Sequence, residues 1–147
     1  MSEGLHRAVY DWIAKNPVVS ALFFNFGSAE AGATTISTSA GERTVKAYLG
    51  GSEVRQYDFF IIQYKEANAQ TPNNAFNAEA LSDVEQVMSW VRERNERREF
   101  PEFPADCRII SVEIPENMPT VAGQSQAGAK YMFAVRITYL KEVKLWD

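Results

Sequence analysis

With 147 residues, 46% of them apolar, the chain has the length of one domain and enough apolar surface to bury a core without a metal or disulfide staple. Nineteen acidic against fifteen basic side chains leave a formal charge of -4, against a dedicated nucleic-acid binder, and 12% aromatic content argues against disorder. One cysteine, Cys107, and one histidine, His6, leave the usual zinc and cysteine-protease constellations short of parts.

Taken in chain order, Leu5, Val9, Trp12 and Ile13 form the stripe of an amphipathic helix over Glu3 to Asn16, ended by Asn16-Pro17. Leu22 to Phe26 reads as a short strand with Leu22, Phe24 and Phe26 on one face. The small-residue stretch from Gly27 to Gly41 reads as a flexible loop within which Thr34 to Thr38 could pair as a strand. Val45 to Leu49 and Val54 to Lys65 are strand-like runs joined by Gly50-Gly51-Ser52-Glu53, which predicts a hairpin. Its second arm is apolar on both faces, Tyr57, Phe59 and Ile61 on one and Phe60, Ile62 and Tyr64 on the other. That pattern fits either a strand covered on both sides or one with a face given to a partner.

Leu81, Val84, Val87, Met88 and Val91 predict a second helix from Ala78, with Asn77 as cap or Ser82 and Glu85 as a capping box. Its end, Arg92 to Arg98, interleaves cations with glutamates, so it reads as a salt-bridged helix end rather than a phosphate-binding patch. Pro101 and Pro104 stop it. Ile110, Val112 and Ile114 alternate as one buried face of a strand. A loop from Pro115 to Gly128 follows, and then Phe133, Val135, Ile137 and Tyr139 alternate as the face of a second strand, antiparallel to the first. The expected fold is α+β, a single domain over 1-147 with two helices packed on one face of a mostly antiparallel sheet.

No chemistry-bearing motif emerges. Gly50-Gly51 lacks the following helix and Lys-Ser/Thr of a phosphate loop, no serine sits in a nucleophile elbow, and Asp83 and Glu85 read as solvated helix residues. His6 reads as an ordinary helix residue and Cys107 as a small half-buried hydrophobe. No run approaches the roughly 18 apolar residues of a membrane span, and no basic region followed by an apolar run opens the chain, so synthesis and assembly in the cytosol are expected.

Four segments in fixed order carry a family resemblance. The hairpin Val45-Lys46-Ala47-Tyr48-Leu49-Gly50-Gly51-Ser52-Glu53-Val54-Arg55-Gln56 resembles the "K-x-Y-x-x-G-S-x-x-R-Q" hairpin of small phage minor capsid proteins akin to the tail terminators of long-tailed bacteriophages. Trp90 to Asn95 resembles their "W-x-x-x-x-N" helix end, Phe100-Pro101-Glu102-Phe103 their "L-P-E-L" turn, and Arg136 to Glu142 their "R-x-x-Y-x-K-E" strand. The resemblance, spanning about Leu5 to Glu142, implies a structural virion protein, not an enzyme, needing no cofactor. Such a protein would form a ring, commonly a hexamer, at the head-tail junction. Its partners would be its own copies, the tail tube protein and a head-completion or connector protein, with DNA passing through the lumen and neither a membrane nor a specific nucleic acid bound. Aromatic surplus and helix-end cations single out Phe24, Phe26, Tyr57, Phe59, Arg94 and Arg97 as expected subunit-interface residues. The alternative is a small enzyme or ligand-binding domain, for which a cleft lined by acids near His6 or Cys107 would speak.

Overall fold

Alternation on the central strands dictates a layered structure, and the computed structural model shows one. It describes residues 2–17, 19, 21–25, 33–66, 74–116, 119–125 and 128–142. Their elements are α1 (Ser2–Ile13), β1 (Ala21–Phe24), β2 (Ala33–Ala47), β3 (Glu53–Glu66), α2 (Asn74–Glu96), β4 (Cys107–Glu113), β5 (Thr120–Ser125) and β6 (Gly128–Lys141). The sheet runs β1-β2-β3-β6-β4, with β5 also on β6. All pairings are antiparallel except β1 with β2.

The longest pairing joins β3 to β6 from Glu53↔Lys141 to Glu66↔Gly128, uninterrupted. Register therefore stacks Tyr57 beside Ile137, Phe59 beside Val135 and Ile61 beside Phe133, all fully buried. Onto this face pack Leu5, Val9, Trp12 and Ile13 of α1 and Val84, Val87, Met88 and Val91 of α2, forming one cluster. Both helices lie on the same side of the sheet, as the sequence patterning predicts. The opposite face of β3 and β6 carries Phe60, Ile62, Tyr64, Met132 and Ala134, all half-buried.

Several boundaries move. The expected loop from Gly27 to Gly41 is strand from Ala33 onward. Thr34, Thr35 and Ile36 pair with Gln63, Ile62 and Ile61, and the β-branched residues gain more from this ladder than the small residues around them lose. Two register irregularities, between Ser37 and Gly41 and between Thr44 and Lys46, absorb the extra residues of β2. In the same way Thr120 to Ser125 of the expected second loop pairs with β6. Strand β1 stops at Phe24 because Asn25 turns left-handed (φ 62°), which asparagine tolerates, and its side chain accepts bonds from the Thr38 amide and hydroxyl at 2.9 and 3.1 Å. Phe26, Gly27 and Val143 to Asp147 lie outside the described residues.

Helix α2 begins at Asn74, so neither Asn77 nor the Ser82/Glu85 pair is its cap. At its other end Arg98 takes φ 56°, the Arg98 amide bonds Asn95 O at 3.1 Å and the Glu99 amide bonds Arg94 O at 2.8 Å. This is a Schellman closure with an arginine where glycine is usual. In β4 the expected inward Ile110 is exposed and Ile109 buried, because a bulge between Ile109 and Ser111 shifts the alternation by one residue. β4 is an edge strand, and α2 guards it: Asn95 Oδ1 accepts the Val112 amide at 2.8 Å.

Phe59 and Phe60 provide a direct test of the layering. Phe59→Ala should cost about 3–5 kcal/mol in urea unfolding, because it empties a closed core site, and Phe60→Ala less than half as much. Equal costs would contradict the one-sided core.

Candidate functional site

Register brings the hairpin motif and the terminal-strand motif together. Arg55 stands opposite Tyr139 across β3 and β6, Glu42 opposite Tyr57 across β2 and β3, and these side chains share the helix-covered face. The Tyr139 phenol donates to Glu42 Oε2, and Arg55 Nε lies 2.7 Å from Glu53 Oε2 and Nη1 3.9 Å from Glu42 Oε1. One residue row deeper, Tyr57 Oη lies 2.5 Å from His6 Nδ1 of α1, donating to it when the ring is neutral. Burial, together with the hydrogen bond to and charge of Glu42, pushes the Tyr139 phenol above the usual tyrosine range. Burial and then the charge of Glu42 do the same to Tyr57. Both aromatic bodies sit in the core while their hydroxyls tie it to the sheet end.

A cleft of about 260 Å³ opens beside this network, lined by Leu5, Pro104, Asp106, Cys107, Tyr139 and Lys141 together with Glu42 and Arg55. Burial first, and the charge of Asp106 second, push the Cys107 thiol up, the direction that makes it less nucleophilic. Among the described residues no group of three His, Cys, Asp or Glu could hold a metal ion, and no helix is long and apolar enough to cross a membrane.

The remaining resemblance segments hold the helices in place. Trp90 lies 5.2 Å from the Trp12 ring, Arg94 stacks over Trp90 at 5.4 Å, and Trp12 Nε1 donates to Glu99 O at 2.8 Å. Phe103, at the end of the turn motif, meets Tyr139 edge-on at 5.3 Å. Arg136 Nε and Nη2 reach Asp58 at 3.0 and 3.2 Å on the open face.

The expected interface residues separate accordingly. Tyr57 and Phe59 are 1% and 0% exposed beneath the helices, so neither can touch another subunit. The two-sided strand was open to either assignment, and helix packing covers this side. Phe24 is half-buried against the core and His6. Arg94 is engaged by Glu93 and Glu99, and Arg97, mostly exposed, by Glu93 at 2.7 Å. Surface that can meet a partner lies elsewhere: Phe60, Ile62 and Tyr64 on the open face, and Val45, Tyr48 and Leu49 at the hairpin tip. Period-two alternation in β3 signals the open face. Leu49 beside Gly50-Gly51 signals the tip. Neither a scan of protein-family models nor a search of curated proteins returns a match.

Phenols with raised folded-state pKa values keep protons that the unfolded chain has lost. Their stabilising contribution is therefore full below about pH 10 and is lost as pH rises through the folded value. In an absorbance titration, at least two of the six tyrosines should ionise only as the protein unfolds. Reversible ionisation of all six in one step near pH 10 would contradict the buried network.

Proposed function

We propose that this chain is a structural virion subunit of the tail-terminator kind, assembling with its own copies into a ring, a hexamer in this reading, at the head-tail junction of a long-tailed phage. In this role it is no enzyme and uses no cofactor. It assembles in the bacterial cytoplasm, caps the tail tube protein, meets a head-completion or connector protein, and lets DNA through its lumen. One observation carries the reading. Three of the segments that resemble the phage family, far apart in sequence, meet in space, Arg55 opposite Tyr139 and Phe103 edge-on against Tyr139, while Trp90 and Asn95 of the fourth dock on α1 and β4. The open, partly apolar sheet face adds support, since such a face suits association more than catalysis.

The cleft at Cys107 favours a second reading, a ligand-binding domain, because acids and cations meet there. Its volume is below the roughly 300–1,000 Å³ of ordinary ligand sites, its arginine is engaged by Glu42 within the lining and by Glu53 outside it, and its thiol is poised against ionisation. The ring reading is therefore preferred.

Electron microscopy of the purified chain, alone and with tail tubes of a long-tailed phage, tests the proposal. Closed rings, free or seated on tube ends, are expected. Monomers in sedimentation at high concentration, together with bare tube ends, would overturn it.

A further inference from the structure

Five large apolar side chains are exposed among the described residues, and three of them, Val45, Tyr48 and Leu49, fall within five positions at the tip of the β2–β3 hairpin. Leu49, 106% exposed, touches nothing in its own subunit that hides it from water. We propose that this tip is a docking knob that a second copy of the chain receives.

The knob is built in advance of contact. The Tyr48 amide donates to Ser52 O at 2.9 Å and the Gly51 amide to Tyr48 O at 3.0 Å, with Gly51 at φ 94°, where a side chain would be strained. Lys46 Nζ sits 5.1 Å over the Tyr48 ring, and Arg43 clasps Gln56 Oε1 at 2.7 and 3.0 Å. Little conformational entropy remains to be lost when such a tip is covered.

Charge identifies the occupant. The hairpin from the Arg43–Gln56 row to its tip holds Arg43, Lys46 and Arg55 against one acid, Glu53, a local charge of +2 in a chain of -4, so the rest of the chain carries -6. An acidic body and a basic, apolar knob on the same molecule are complementary between copies. The knob cannot satisfy itself, because six residue steps, about 20 Å of extended chain, separate Gly51 from Tyr57 at the level of the core. Contact between knob and body is heterologous, and a repeated heterologous contact closes a ring when its rotation allows. In this the inference rests on the ring-subunit proposal and names a surface for it.

Sedimentation velocity of the full chain over a range of concentrations, beside its Leu49→Asp variant, tests the knob. Leu49 has no intramolecular packing to lose, so the variant should keep the far-ultraviolet dichroism and melting temperature of the parent, and Tyr48→Ser provides a second, milder truncation. The parent should self-associate, more weakly as salt rises, and Leu49→Asp should raise the dissociation constant at least about tenfold, the scale of burying one leucine. Ile110→Asp, at an exposed site on β4, should leave association unchanged. Undiminished association of Leu49→Asp overturns the knob while leaving rings intact, whereas a closed dimer abolished by Leu49→Asp upholds the knob and removes the ring. A parent that stays monomeric overturns it, as does one that is monomeric yet co-sediments with phosphatidylglycerol vesicles through Leu49, which assigns the tip to a lipid surface.

Discussion

Two helices can cover one face of this sheet, and β3 is apolar on both. The rest of the structure follows from that inequality. α1 and α2 bury their stripes against Tyr57, Phe59, Ile61 and their β6 partners, closing a single cluster, and Phe60, Ile62 and Tyr64 are left on the side no described helix reaches. Burying a large aromatic side chain is worth about 1.5–3 kcal/mol, so the covered face accounts for most of the cohesion of the fold. The open face, half-shielded by its own neighbours and crossed by the Asp58–Arg136 pair, keeps an apolar strip in water.

Polar contacts in this molecule mostly place elements rather than perform chemistry. Buried tyrosines project their hydroxyls to His6 and Glu42 at the hairpin base, where an unbonded hydroxyl would cost about 1–3 kcal/mol. Asn95 spends its carbonyl on an edge-strand amide, and Glu99 closes the α2 terminus through Arg94 while its backbone receives Trp12. A site in which each charge has a nearby counter-charge is suited to holding a shape. That is the physical sense in which the hairpin, helix end and terminal strand form one unit.

Much of this was legible in the residues. Stripes such as Val84, Val87, Met88 and Val91, and the alternation of Phe133, Val135, Ile137 and Tyr139, mark buried faces because burial repeats with the period of the element. Glycine at Gly50-Gly51 marks the hairpin turn for a steric reason. Where the reading failed, the cause was non-local. The bulge at Ile110 turns that residue outward and Ile109 inward while Val112 stays buried as its alternation predicts, and β2 extends through small residues because β3 is there to pair with part of them. A two-sided strand does not announce which side its own helices will take, so sequence alone leaves Tyr57 and Phe59 as open to an interface as to the core. Leu49 ends the strand-like run before Gly50-Gly51, and strand patterning alone does not show that it stands fully in water.

The helix-covered face is core, and the proposed ring assigns association to the open face with its hairpin tip. Hydroxyl-radical footprinting of the side chains, at a dilution that keeps the chain monomeric and at a concentration where it assembles, tests this most directly. Tyr57, Phe59 and Phe133 should stay unreactive throughout, while Tyr48, Leu49, Phe60, Tyr64 and Met132 react in the monomer and are shielded on assembly. Labelling of Tyr57 and Phe59 in the folded monomer, or shielding that falls on the α2 surface and spares the open face and tip, would contradict it.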